Sequence, residues 1–459
     1  MTSIRNSALD YAQKNKEAFL NTLGEFVGIP SVSTDPDLAN SMLDAANWLI
    51  AKLEKLGFET RLISTPKYPL VYAERIIDPA YPTVLFYGHY DVQPPDPLEL
   101  WETPPFEPEV RNDSYFGRGV SDMKGQIVAC LSAIESVIKT TDLHLNLKWI
   151  LEGEEEIGSP SLPPKLEEYK ELLQSDIVFN PDSGMIAKNT PTITYALRGL
   201  AYFELRVYGP KTDLHSGMFG GVVHNPAQVL CDLISGMHDE HGRITLPGYY
   251  DSVIPLTEKD RKQIEELPIN EETYKQQTGV PELWGEEGFS PAERTGARPT
   301  LDVNGLYSGF IGHGSKTIIP SWAMAKISMR LVPEQDPAEV QQQLVKYLQM
   351  HAPDTVRWEL TPMSGAPASI TRTDLPEVNA FADALERAWG KKPLFKREGG
   401  SIPIAYYMKS SIGSDSILGG FGLPDDHVHA PNEKLDLPTW YTGINSLIHF
   451  LINMQELRK

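Results

Sequence analysis

Cysteine is nearly absent from this chain, with Cys130 and Cys231 its only two. Both lie in apolar helical patterns, so core thiols are expected and a disulfide framework is excluded. Positive charge is scarce as well: 41 Lys and Arg stand against 62 Asp and Glu, a formal net charge of -21. That deficit leaves no counterion-releasing basic face and argues against a nucleic-acid or anionic-membrane partner. An anionic small substrate is still allowed, since it needs only a local Arg or a metal. No stretch approaches the roughly 20 apolar residues of a membrane span. The N-terminal MTSIRNSALDYAQKNKEAF lacks the apolar core and cleavage site of a secretory signal. A soluble, cytoplasmic protein is the expectation. There is no HExxH, no CxxC pair, no internal repeat and no low-complexity tract, so the short-spacing zinc classes are out.

What is present suffices for full cores. At 459 residues and 41% hydrophobic content, two domains are expected. Helical spacing marks 11–27, 38–56 and 127–138, while 59–64, 70–73, 84–87, 145–151 and 176–179 read as strands. That alternation predicts an α/β/α first domain with a mostly parallel sheet. Beyond Asp182, two runs flank Arg198-Gly199 and read as a hairpin or paired strands. A polar stretch, 241–298, has weak periodicity. A strand at 325–332, a helix at 337–350 and a strand at 356–360 then suit a smaller α+β unit. Helices at 375–389 and 439–455 return to the first domain. The expected division is 1–195 and 373–459 for a discontinuous first domain, with 196–372 as an inserted α+β unit.

The chemistry-bearing stretches sit where apolar strands stop. VLFYGHYDVQ delivers His89 and Asp91 at a strand's carboxyl end, where α/β sheets collect ligands. SDMKG puts Asp122 just before a helix, a position where a carboxylate ordinarily caps. LEGEEEIGS follows another buried strand, so its glutamates need a positive partner if they are buried. FNPDSG repeats the pattern with Asp182, and HVHAPNE places His427 and His429 among prolines and acids. Jointly these fit a binuclear metal site, in which one carboxylate can bridge two ions roughly 3.5–4 Å apart.

HYD, GRGVSDMKG, EEIGS, the Asp of NPD and HAPNE, in that order, resemble the M20 family of metallopeptidases, in particular its carnosinase and cytosolic non-specific dipeptidase subgroup. DLHSGMFGG, SKTIIP, MRLVPEQ and REGGSIP extend the likeness over nearly the whole chain. The resemblance implies that Asp122 bridges two ions, that His89 and Asp182 complete one and that Glu156 and His429 complete the other. It implies Glu155 as general base and Asp91 as the residue that orients His89. Glu152 and Glu154 fall outside the site, as solvated or structural groups, and His427 matches no ligand position. His215 is implied as an oxyanion donor supplied to the neighbouring subunit, Arg330 as the clamp on a substrate carboxylate, and Thr317, Ser401, Gly399 and Gly400 as further contacts. The Asp122–Met123 peptide is expected to be cis.

The implied activity is hydrolysis of dipeptides that carry a free C-terminal carboxylate. Three ligand carboxylates against two divalent ions leave one positive charge, which a bound hydroxide balances and Glu155 generates from water. Zinc is the first choice, with manganese or cobalt as alternatives. A homodimer is implied, with His215 and Thr317 acting in trans. The rival on the same ligands is an N-acyl-amino-acid deacylase or desuccinylase, separated only by its acyl pocket. From another class comes a catalytically silent peptide-binding homologue.

Overall fold

The computed structural model describes residues 2–400 and 403–457. The chain packs as two units: Met1–Tyr195 with Thr371–Phe395 and Tyr407–Lys459, and Ala196–Ile370 with Lys396–Tyr406.

In the first unit, sheet strands lie in the order Glu59–Ile63, Leu70–Arg75, Asn146–Glu152, Thr83–His89, Ile177–Asn180, Ser416–Leu418, Thr192–Leu197. Only the four central strands, from Asn146–Glu152 to Ser416–Leu418, are mutually parallel, and the flanks are antiparallel. The parallel middle is what matters, because it brings several carboxyl ends to one edge. Val84 and Phe86 join the main core, whereas Leu85 and Tyr87 are equally buried on the other face. Both faces are therefore covered, as parallel strands require. Stacked rings, such as Phe86 on Trp149 at 4.9 Å, knit the strands together, and Phe179 meets Phe381 edge-on at 5.1 Å. Helices Lys124–Thr140, Pro376–Trp389 and Leu437–Met454 contribute to the same core. Trp440 locks two of them by donating to the Gly125 carbonyl at 2.8 Å. A glycine is needed at 125 for another reason, since a Cβ there would sit 2.0 Å from the Val120 carbonyl oxygen.

The second unit is a four-stranded antiparallel sheet in the order Thr300–Ser308, Trp322–Leu331, Gly199–Tyr208, Arg357–Ala366. Strict alternation of buried and half-buried residues along Trp322–Leu331 turns one face to a separate core. Helices Pro226–Ser235 and Pro337–His351 supply the rest of that core.

Several expectations need correction. Thr192–Leu197 and Gly199–Tyr208 do not pair; they belong to different sheets, and Arg198 lies between them. Gly199 is needed because a Cβ there would meet the Ala366 carbonyl at 2.6 Å. Residues 396–406 leave the run 373–459 and pack with the second unit. Arg397 there pairs with Asp260 at 2.7 Å, and Gly399 offers its carbonyl to Arg198 at 3.2 Å. Cys130 is buried, but Cys231 is exposed; Val229, Leu230 and Leu233 form the buried stripe of its helix. The weakly periodic 241–298 contains three helices, Glu258–Glu265, Glu271–Thr278 and Pro291–Ala297. Each is started by a capping box, Thr257 with Asp260, Asn270 with Thr273 and Ser290 with Glu293. Among the described residues, no helix is long and apolar enough to cross a membrane.

Candidate metal centre

The parallel register explains how distant residues meet. His89 ends its strand opposite Glu152, and Asp182 follows the neighbouring strand Ile177–Asn180. A single turn, Glu155–Ile157, raises Glu155 and Glu156 just past the end of Asn146–Glu152. The loops before helix Lys124–Thr140 and before strand Lys434–Asp436 add Asp122 and His429.

Three sets of donor atoms lie within 4.8 Å of one another: His89 with Asp122 and Asp182; Asp122 with Glu156 and His429; and His89 with Glu155 and Glu156. Asp122 is common to the first two sets. Its Oδ1 faces His89 Nε2 at 3.1 Å, and its Oδ2 faces His429 Nε2 at 2.9 Å. It does not cap the helix that follows, whose first turn has no side-chain cap. The Asp122–Met123 peptide is cis.

Asp91 is fully buried and does two jobs. His89 Nδ1 lies 3.0 Å from the Asp91 backbone carbonyl and 3.4 Å from its carboxylate, which accepts the backbone N–H groups of Glu155 and Glu156 at 3.3 and 3.1 Å. Asp91 thus fixes the imidazole, through its carbonyl and carboxylate, and the glutamate turn together, leaving His89 Nε2 to face Asp122.

The electrostatics are those of acids short of cations. Burial, reinforced by Asp182, Glu156 and Asp122 against an opposing His89, pushes the Glu155 carboxyl up to about 9. Burial, with Asp122 as the next cause, raises Asp182 to about 7. Hydrogen bonds donated to Asp122 and Glu156 lift His429 to about 10. Burial opposes charge on His89, but hydrogen bonds to Asp122 and Asp91 outweigh it and hold the ring's pKa well above its usual value. Burial also opposes ionisation of Asp122, yet its two histidines hold it well below the carboxylate range. Three carboxylates and two imidazoles so crowded fit divalent cations, which take oxygen and nitrogen donors and relieve the repulsion.

The remaining residues of the LEGEEEIGS run are structural. Glu152 accepts from Tyr87 Oη at 2.7 Å and Ser159 Oγ at 2.9 Å, and Glu154 accepts from the Tyr68 N–H at 2.9 Å; both are buried rather than solvated. His427 is exposed. Two contributors went unread in the sequence. Gln93, at the end of VLFYGHYDVQ, donates to Glu156 at 2.7 Å. Glu433, the last residue of HAPNE, is buried beneath the Asp122 loop.

His215, Thr317, Arg330, Gly399 and Gly400 all fall in the second unit, and Ser401 lies outside the described residues. There, His215 pairs with Ile318 across a short ladder, and the Thr317 carbonyl accepts the next N–H at 3.1 Å. His215 Nδ1 accepts the Gly217 N–H at 3.0 Å, so a neutral ring carries its proton on Nε2, as a donor. Arg330 stands in Trp322–Leu331 opposite Leu200 and Thr300. Buried Arg198, lowered to about 10 by its burial and then by Arg330's like charge, ties Gly399 to the carbonyls of Arg294 and Arg298.

A cluster of carboxylates and imidazoles at the carboxyl edge of a parallel sheet has the donor chemistry of the divalent-cation hydrolases. Residues 85–453 match Peptidase family M20/M25/M40. The chain is 33% identical over 451 residues to a Cys-Gly metallodipeptidase of Schizosaccharomyces pombe, with 94% of each protein covered. It is 30% identical over 478 residues to the human Beta-Ala-His dipeptidase, covering 99% of this chain and 94% of that one. Its fold is similar to an M20 family metallo-carboxypeptidase from Sulfolobus solfataricus, with a TM-score of 0.85, 35% identity and 96% and 99% of the two chains covered. The chain belongs to the M20/M25/M40 peptidase family. It is a metallopeptidase, and its family works with divalent metal ions.

Proposed function

We propose that this protein is a dipeptidase with a binuclear centre in which Asp122 bridges, His89 and Asp182 hold one ion, and Glu156 and His429 hold the other. The observation that carries this reading is Asp122 itself, each of whose oxygens faces a different histidine, at 3.1 and 2.9 Å. When bound, two divalent ions, zinc first and manganese or cobalt otherwise, would polarise the scissile carbonyl and lower the pKa of a water between them toward about 7. Glu155, beside His89 and Glu156, takes the proton of the attacking water. It then returns that proton to the departing amine nitrogen. Asp91 keeps both His89 and the Glu155 turn in register for that transfer.

Residues 196–372, joined by 396–406, act as lid and dimerisation domain, and the rest of 1–195 and 373–459 is the catalytic domain. Arg330 clamps the substrate's free carboxylate, and Gly399, Gly400 and Ser401 line its path. In a homodimer, His215 with its Nε2–H and Thr317 serve the neighbouring subunit's site, His215 stabilising the oxyanion. Kinship with a Cys-Gly metallodipeptidase and a Beta-Ala-His dipeptidase supports dipeptides as substrates. The likeness to a metallo-carboxypeptidase favours a second reading, removal of a C-terminal residue from longer peptides.

One experiment separates these readings from the deacylase: metal-replete protein is offered dipeptides, longer peptides with a free C-terminus, and N-acetyl and N-succinyl amino acids. Dipeptides should be turned over best, and Arg330→Met should raise their KM roughly 10- to 100-fold, the loss of charged hydrogen bonds. Preference for N-acyl amino acids would replace the dipeptidase with the deacylase. Tight peptide binding without hydrolysis would leave only a silent homologue.

A further inference from the structure

Glu433 is completely buried, yet it is neither a metal ligand nor a substrate contact in the reading above. Its Oε1 accepts the backbone N–H groups of Ser121 at 2.9 Å and Asp122 at 3.0 Å. Its Oε2 accepts the Gly119 N–H at 2.8 Å and Arg118 Nη1 at 2.8 Å. Four donors converge on one carboxylate, three of them from the turn that presents Asp122. The same glutamate lies four residues after His429 in sequence, and Arg118 also reaches the Ala430 carbonyl at 3.3 Å. A second tie runs parallel to it: Ser121 Oγ donates to buried Asp426 at 2.8 Å.

We infer that Glu433 is a positioning residue for the metal centre: its carboxylate clamps the Asp122 turn to the His429 loop, so that the bridging carboxylate and the histidine are aimed as one body. This rests on the reading that ions bind at Asp122. The geometry explains why an acid is required. A glutamine at 433 would present an NH2 group to two N–H donors whichever way its amide turned, and a donor facing donors must move away. Because both oxygens act on the Asp122 turn, a displacement there disturbs both ions, not only the one nearer His429.

The test titrates the metal-free, full-length protein with Mn2+ and follows free and bound ion by EPR. Wild type should bind two ions and show the exchange-coupled signal of a bridged pair. E433Q should remain folded by circular dichroism, bind Mn2+ roughly 10- to 100-fold more weakly, as loss of a supporting contact to a ligand does, and lose the coupled signal. E433D, which keeps two acceptor oxygens, should fall between them. A role confined to stability would lower the melting temperature without removing the coupling. If E433Q does not fold, R118K decides, with a several-fold loss of affinity and a weakened coupled signal expected. A folded E433Q, or in its place R118K, with wild-type affinity and spectrum would overturn the assignment. D122N runs alongside: if it loses Mn2+ while E433Q does not, the clamp alone is wrong, and if D122N binds as wild type does, the metal-site reading falls and the clamp with it.

Discussion

Two groups of buried charge, one in each unit, make an instructive contrast. In the second unit, buried Glu286 meets buried Arg298 through two contacts of 2.7 Å, with Arg243 at 3.2 Å as a further partner. Arg298 is also stacked over Phe289, 4.2 Å from the ring centre. The buried acid there has internal counter-charges, and the cluster is architecture. In the first unit Asp122, Glu155, Glu156 and Asp182 crowd together, and among the described residues His89 and His429 are the cationic groups paired with them. There the protein leaves Glu155 and Asp182 raised far above ordinary carboxyl values, to about 9 and about 7. Buried acids that bring their own cation hold a fold together, while buried acids that lack one mark a place where a cation from outside belongs.

The contrast can be broken at either end. The largest effect is expected from Glu155→Ala, which removes the proton carrier but no ligand of the proposed pair. Turnover should fall about 100- to 10,000-fold while bound metal, measured by elemental analysis, stays at the wild-type level. Near-normal turnover would assign the base elsewhere. Next is Arg298→Met, which strands the Glu286 charge. Loss of one partner from a buried pair costs about 3–5 kcal/mol, read as a shift in the denaturation midpoint, with Arg243 softening the loss. A shift below about 1 kcal/mol would mean that this cluster is less self-contained than its geometry indicates.

The smallest effect is a slope with pH. In metal-free protein, Glu155, Asp182 and His429 all have folded pKa values raised above their unfolded ones. Groups of that kind stabilise the fold below the unfolded pKa, near 4 for the acids and 6.5 for histidine, and lose that contribution as pH rises through the folded value. Asp122, shifted the other way, changes its contribution only in strong acid. The melting temperature of the metal-free protein should therefore decline between pH 5 and pH 9, and saturating zinc should flatten the decline. A metal-free melting temperature that rises over that range would contradict the picture of acids short of cations.

Much of this was legible because strands announce themselves. Apolar runs ending just before His89, Glu152 and Asn180 were readable from hydrophobic patterning, and so was the place for chemistry at their carboxyl ends. The ligand set was not, since nothing in the spacing of residues 89, 122, 156, 182 and 429 fixes their distances; the ordered motifs carried it. Glu152 and Glu154 show where charge patterning misleads, because a run of acids looks solvated until Tyr87, Ser159 and a backbone N–H are found waiting for it. Gln93 and Glu433 escaped notice for a different reason: each acts on a partner far along the chain. The paired-strand reading of 192–207 failed because local alternation cannot tell which sheet a strand joins. Thr257, Asn270 and Ser290, by contrast, were findable as helix starts and were lost in the polarity of the stretch around them.

The most direct measurement is anomalous diffraction from zinc-loaded crystals. It should reveal two peaks roughly 3.5–4 Å apart, with the Asp122 carboxylate between them, His89 and Asp182 on one, and Glu156 and His429 on the other. Zinc bound away from these five side chains, or the five side chains ordered around no ion at saturating zinc, would contradict the account.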